Sequence, residues 1–210
     1  MDNNKQHWEN VFTTKAPTEV SWFQEYPKTS VEFLELFSLP LTANIIDIGG
    51  GDSNLVDVLL DKGYQNIWVL DISAAALDRA KSRLGEKANL VHWVVTDVTA
   101  FEPPVQFDFW HDRAAFHFLT NEDAINKYVS IAEKAISDKG YLVLGTFSEN
   151  GPEKCSGLQI RQYNEASMSA RFEIAFNRIK CITENHVTPF NTVQNFLFCS
   201  FQKKQTNSNE

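Results

Sequence analysis

Three consecutive glycines, placed directly after a short apolar strand, constrain this chain more than any other feature. The stretch reads Asn44-Ile-Ile-Asp-Ile-Gly-Gly-Gly-Asp-Ser53. In an open α/β sheet the ligand lies in a crevice outside the carboxyl ends of the strands. Glycines let the backbone turn there and approach a ligand closely. Two further apolar runs lead to acids: Asp71 closes Asn66-Ile-Trp-Val-Leu-Asp, and Asp97 follows Leu90-Val-His-Trp-Val-Val-Thr. Three strand ends bearing glycines or acids point to an adenosine-containing ligand.

The alternation extends well beyond the glycines. Apolar Ile/Val/Leu runs at 44–48, 66–70, 90–95, 105–110 and 140–146 have the composition of parallel strands buried on both faces. Between them lie helices with readable ends. Ser53 is placed to cap a helix closed by Gly63, Ser73 to cap one closed by Gly85, and Thr120 or Asn121 to open one running to Ser137. After Phe147 the pattern changes. A loop-like stretch at 148–157 and a short helix at 164–170 precede two consecutive strand candidates, 171–186 and 192–202, joined by a hairpin-length separator. A sheet finishing in a hairpin requires an antiparallel last strand.

At 210 residues and 43% hydrophobic content, the chain has the size and composition of one globular domain. Residues 41–204 hold the sheet. Residues 1–40 form an arm in which His7, Trp8, Phe12, Trp22, Phe23, Tyr26 and Phe33 crowd together, and 205–210 read as a disordered tail. The arm either packs on the sheet or forms a lid, since aromatic side chains cover an organic ligand and exclude water. Net charge is −8 and no long Lys/Arg cluster occurs, so nucleic acid is a poor substrate candidate. No apolar run is long enough to cross a bilayer, and the polar N-terminus lacks the character of a signal peptide. Cys155, Cys181 and Cys199 include no CxxC pair, which argues against zinc or a disulfide framework and for a reducing, cytoplasmic setting. Cys181 and Cys199 fall in apolar strands and read as inert core residues.

A dinucleotide fingerprint requires G-x-G-x-x-G, and from Gly49 the third glycine is missing. The frame acid-x-G-x-G-x-(G/S) is filled by Asp47, Gly49, Gly51 and Ser53, with Gly50 between the glycines. In this frame, and in the acids after the second and third strands, the chain resembles the class I S-adenosylmethionine-dependent methyltransferases. The likeness runs over roughly 40–202. It implies a Rossmann-like, seven-stranded, mostly parallel sheet with an antiparallel last strand and helices on both faces. It also implies S-adenosyl-L-methionine as cofactor. On that resemblance Asp71, with Ile72 beside it, accepts from both ribose hydroxyls. Asp97 accepts from the adenine amino group, Val98 offers a backbone N–H to the ring, Asp47 orients the glycine loop and the amino end, and Trp22 covers the cofactor.

The methyl acceptor is expected to meet residues after the fourth strand, where the chain reads Trp110-His-Asp-Arg113. No Asn-Pro-Pro-Tyr signature is present. The segment resembles the Trp-x-Arg element of thiopurine-type small-molecule methyltransferases. This implies that Arg113 faces the acceptor while His111 and Asp112 contact cofactor or acceptor. The alternative is that Asp112 and Arg113 pair with each other or cap the next element, with His117 in the core. The opening His7-Trp-Glu-Asn-Val-Phe12 and Ser21-Trp-Phe23 are also similar to the entry of methyltransferase-like proteins that include protein-lysine methyltransferases, although His-Asp-Arg replaces their acidic segment. Beside Lys154, the Cys155 thiol is either an ordinary loop cysteine or one of lowered pKa that contacts a soft acceptor. The expected activity is methyl transfer to a small-molecule acceptor by in-line displacement, with no nucleic-acid or membrane partner. The alternatives are a protein-lysine acceptor and a non-catalytic binding module. No oligomeric state follows from these residues.

Overall fold

The structure is a computed structural model and describes residues 3–205; the tail expected to be disordered falls, from 206 onward, outside the described residues. Seven strands form one sheet: β1 (Asn44–Ile48), β2 (Asn66–Asp71), β3 (Val91–Val95), β4 (Phe107–Arg113), β5 (Ile136–Phe147), β6 (Phe176–Val187) and β7 (Val193–Lys203). Their order is β3-β2-β1-β4-β5-β7-β6. The first five pair in parallel, and β7 runs antiparallel between β5 and β6. The Rossmann-like mixed sheet anticipated above is therefore the observed one. Strand order reverses at β1 and β4, and connections leave that point in opposite directions, opening a crevice at the strands' carboxyl ends.

The described α-helices are α1 (Asn3–Thr14), α2 (Lys28–Leu36), α3 (Leu55–Asp61), α4 (Ala74–Leu84), α5 (Glu122–Ala135) and α6 (Glu165–Phe172). One core places α2, α3 and α4 against Ile45, Val69, Phe109, Val143 and Phe198; the other places α5 and α6 against Ile46, Trp110, Leu144 and Phe201. Both faces of the central strands are thus buried, which explains their nearly continuous apolar runs. The caps at Ser73 and Asn121 accept from Ala76 and Ala124 N–H as their sequence positions foretold. Ser53 differs by one residue. Asn54 occupies the cap position of α3, and the Ser53 hydroxyl accepts from Leu55 N–H at 3.1 Å.

Three boundaries differ from those expected. Helix α5 ends at Ala135, and Ile136, which keeps helical spacing in the sequence, instead opens β5 and pairs with Phe107 across a register shift. Strand β4 continues through Arg113, three residues past the expected end. Residues 171–172 complete α6 rather than opening the hairpin, because the Asn164 side chain caps a helix that runs to Phe172. No helix among the described residues is long and apolar enough to cross a membrane.

The reading of Cys181 and Cys199 as inert thiols is overturned. They lie directly opposite each other on β6 and β7, with Cα atoms 4.2 Å apart, and form a disulfide. Spacing in the sequence carried no signal, because the pairing is created by hairpin register. Under denaturing, non-reducing conditions one thiol, Cys155, is expected to react with a thiol reagent, rising to three after reduction. Closing a loop of this size stabilises by at most about 3 kcal/mol, so urea unfolding with and without reductant should show a loss within that bound. Three reactive thiols before reduction would refute the bond.

Candidate active site

The cleft lies above β1, β2, β3 and β4, at the strand-order reversal. Its larger lobe is lined by Ile48, Gly49, Leu70, Asp71, Ile72, Thr96, Asp97, Val98, Arg113, Ala115, Phe118 and Cys155, with Trp8, Phe12 and Trp22 of the arm closing over them. A smaller lobe continues under the glycine loop, past Asp47, Gly50, Gly51, Asp52, Ser53, His111 and Ser30. Gly49, Phe12, Trp22 and Arg113 border both lobes. The structure therefore gathers Asp47, the three glycines, Ser53, Asp71, Ile72, Asp97, Val98, Trp22, His111 and Arg113 around one crevice. Asp112 is not among them.

The turn after β1 depends on two left-handed glycines. Gly49 has φ +64°, and a Cβ there would sit 2.6 Å from the Ala115 Cβ. Gly51 has φ +47° and passes 3.1 Å, measured to an added Cβ, from the Asp71 carboxylate. An L side chain is disfavoured at both on backbone grounds alone. Beneath the turn, buried Asp47 accepts from His111 Nδ1 at 2.7 Å, and His111 Nε2 meets the Ser30 hydroxyl at 2.8 Å. Both ring nitrogens are thereby occupied, so His111 ties β1 to β4 and α2 rather than presenting a free base to the cleft.

Asp71 is buried at the end of β2, accepts from Ser73 N–H at 2.8 Å and is also bonded by Gly51 N–H. Burial raises its pKa to about 7, with Asp52 and Asp47 adding to the shift and the two backbone donors opposing it. Asp97 caps a short turn through Oδ1, which accepts from Thr99 N–H and Oγ1–H, both at 2.7 Å. Strand alternation separates the three polar residues at the end of β4. His111 and Arg113 face the α2 side. Asp112 faces the other core, where it accepts from Ala115 N–H, Phe116 N–H and the Tyr128 hydroxyl. The expected contact of Asp112 with cofactor or acceptor is corrected accordingly: its carboxylate holds the turn after β4. His117 is buried against Phe118 and Phe147, accepts from Phe147 N–H and has its pKa lowered by burial to about 3.

Cys155 also departs from expectation. It belongs to a small hairpin, Lys154–Cys155 with Leu158–Gln159, that turns its thiol into the cleft and leaves Lys154 exposed. Burial pushes the thiol up to about 12, against the smaller opposing influences of Arg113 and a hydrogen bond with Ser21. The thiol is therefore neutral, the reverse of the lowered pKa that a lysine neighbour would produce.

Sequence reading missed Glu9. From α1 its carboxylate accepts from Ala74 N–H at 2.7 Å and from Ala75 N–H and the Ser73 hydroxyl at 3.1 Å each. These are otherwise unsatisfied groups at the start of α4, where the helix dipole favours an anion. His7 reaches the small hairpin at Ser156 Oγ, 3.4 Å away. Trp8 packs edge-on against Trp22 and Phe118, and Arg79 lies over Phe12. Tyr26 is exposed outside the cleft and Phe33 stacks on Phe198 in the core, so the aromatic arm divides into lid and scaffold.

The sequence matches the methyltransferase-domain family over residues 45–140. That match covers a little under half of the chain and takes in β1 to β4 and the start of β5. It is 29% identical over 121 residues to the eEF1A lysine and N-terminal methyltransferase of Mus musculus, covering 57% of this chain and 17% of that one. It is 26% identical over 108 residues to malonyl-[acyl-carrier protein] O-methyltransferase 2 of Ilyobacter polytropus, covering 51% and 40%. The chain thus spans less than half the length of either relative. Its fold matches N-methyltransferase NodS from Bradyrhizobium japonicum, solved with S-adenosyl-L-homocysteine, at a TM-score of 0.76 and 17% identity, covering 97% of this chain and all of that one.

Replacing Glu9 with alanine should remove about 1–2 kcal/mol of docking energy from α1, in the range for a helix-capping group. Amide hydrogen exchange across Asn3–Thr14 should accelerate while the central strands stay protected. Unchanged exchange in α1 would mean that the aromatic contacts hold the helix without the carboxylate.

Proposed function

We propose that this domain binds S-adenosyl-L-methionine in the cleft and transfers its methyl group to a small-molecule acceptor. The observation that carries the reading is the buried Asp71 carboxylate beside a left-handed glycine turn, at the point where strand order reverses. The cleft's residues fit the cofactor. Asp71 presents a carboxylate to a ribose diol, Asp97 keeps one oxygen beyond its cap, and Ile48, Leu70, Ile72 and Val98 supply apolar walls for a purine. When bound, S-adenosylmethionine supplies a methyl group on a sulfonium centre, whose thioether is a good leaving group. The protein's contribution is to orient the partners and exclude water. Trp8, Phe12, Trp22 and Phe118 do so by closing the cleft under the Glu9 clasp, and Arg113 borders both lobes where an acceptor can be positioned.

A protein acceptor is the second reading, favoured by the likeness to the mouse enzyme named for a lysine substrate. Against it, the acids lining the cleft lie at β1, β2 and β3 and in the glycine turn. Among the described residues, those lining the cleft beside Trp8, Trp22, Phe118 and Cys155 include no carboxylate other than Asp71 and Asp97.

Titration calorimetry should detect binding of S-adenosylmethionine and its demethylated product but not of NAD; NAD alone binding would overturn the assignment. Asp71→Ala should weaken cofactor binding by about 2 kcal/mol, the scale of hydrogen bonds to a charged group. Asp71 is protonated below about 7 and ionised above it, and only the carboxylate accepts from both hydroxyls without keeping a proton of its own. Affinity should therefore rise between pH 6 and 8 in the native protein and stay flat in Asp71→Asn. Incubating a lysate with tritiated methyl donor should place label in the small-molecule fraction; label confined to protein would favour the second reading.

A further inference from the structure

We propose that helix α1 is the gate of the cofactor cleft and that the Glu9 carboxylate is its latch. On this reading the cofactor and its demethylated product pass only when Glu9 lets go of the start of α4. The inference rests on the cofactor reading above and extends it from what the cleft holds to what controls entry and exit. Trp8 and Phe12 of α1 line the larger lobe together with Gly49, Asp71 and Asp97. Toward the elements that follow β4 and β5, the helix is tied mainly by rings. Trp8 lies 5.0 Å from Phe118 and 5.7 Å from Trp22 between ring centres. Beside it, His7 Nε2 is 3.4 Å from the Ser156 hydroxyl, in the turn of the hairpin that brings Cys155 to the cleft. Toward β2 the ties are polar and run to α4. Helix α1 therefore spans the cleft across the point where strand order reverses.

Two side chains make the polar ties. Glu9 accepts from Ala74 N–H, Ala75 N–H and the Ser73 hydroxyl. Further along α4, Arg79 donates to the Lys15 carbonyl just past α1 and pairs with Asp52 of the glycine turn at 3.4 Å. Its guanidinium lies 5.8 Å from the centre of the Phe12 ring, and that ring reaches the turn itself: a Cβ added at Gly51 would stand 3.4 Å from Phe12 Cζ. The latch also adjoins the acid at the end of β2. Ser73 gives its hydroxyl to Glu9 and its N–H to Asp71 Oδ1.

These ties can open at modest cost. Among the described residues of α1 only Val11 and Phe12 are buried, and an element with little apolar burial detaches well before the fold as a whole. The first N–H groups of α4 have no partner within their own helix. When Glu9 leaves, water takes its place on them and hydrates the freed carboxylate, so the net loss is the small difference between protein and water hydrogen bonds. Ligand exchange through a sparsely populated open state has a kinetic signature. Both the entry and the exit rate scale with the population of that state. Weakening the latch therefore raises kon and koff together and moves Kd little. A residue that only shaped the Asp71 site would raise koff and Kd and leave kon alone.

The test measures S-adenosylhomocysteine binding kinetics by surface plasmon resonance on the immobilised full chain. Glu9→Ala should raise kon and koff together by roughly tenfold, the scale of one helix-capping group, with Kd held within about threefold. Glu9→Gln keeps the side chain's shape and one acceptor oxygen. It should raise both rates by a smaller factor, and it supplies the readout if Glu9→Ala does not fold. A rise in koff with kon unchanged would overturn the gate, because Glu9 would then act on the Asp71 site alone. Rates unchanged in both variants would overturn it as well, even with faster amide exchange across α1, since the helix would then be a cover that ligands bypass. Failure of the underlying cofactor reading would look different: the native protein itself would bind no S-adenosylhomocysteine.

Discussion

The cleft depends on a buried hydrogen bond between Asp47 and His111, extended by Ser30. It adds a side-chain link between the ends of β1 and β4, already paired through their backbones, where strand order reverses. It also anchors α2, which packs over the same face. Removing one partner would leave a buried polar or charged group uncompensated, a larger loss than the bond itself contributes. With this crossbar in place the glycine turn rests on Asp47 and Val69, and Ala115 can press against Gly49. The crevice is therefore a consequence of satisfied polar groups beneath it rather than of an absence of packing.

Alternation along β4 then divides labour among adjacent residues. Asp112 spends its carboxylate on the backbone of the following turn and on Tyr128, whose hydroxyl in turn accepts from Trp110 Nε1–H. Burial raises the Asp112 pKa to about 6, and its three donors oppose that shift, so its charge is held by hydrogen bonds rather than by water. On the opposite face Arg113 keeps two donors in reserve. A well-partnered acid and an under-partnered base stand side by side in sequence and serve different cores.

The arm belongs to the same economy of unsatisfied groups. The N-terminus of α4 has backbone donors that its own helix cannot satisfy, and Glu9 brings the acceptor from another element. This couples the cleft's cover to the strand carrying Asp71, because Ser73 both donates to Asp71 and shares its hydroxyl with Glu9. The Asp71 carboxylate at the end of β2 and the packing of α1 over the cleft thus meet at one helix start.

The glycine frame, the acids at Asp71 and Asp97, the parallel strands and the antiparallel finish were all legible in the sequence. Each is a local demand: left-handed turns need glycine, doubly buried strands need unbroken apolar runs, and helix starts need Ser or Asn. What local reasoning missed is what depends on which distant residues meet. Hairpin register brought Cys181 to Cys199, three extra strand residues turned Asp112 away from Arg113, burial made Cys155 a neutral thiol, and the packing of α1 gave Glu9 its partners. Sequence by itself determined the sheet and the strand ends that carry the glycines and acids, because their physics lies within a few neighbouring residues. Only the tertiary structure decided which polar groups face the cleft and which are already occupied, because partnership and burial are properties of the assembled core.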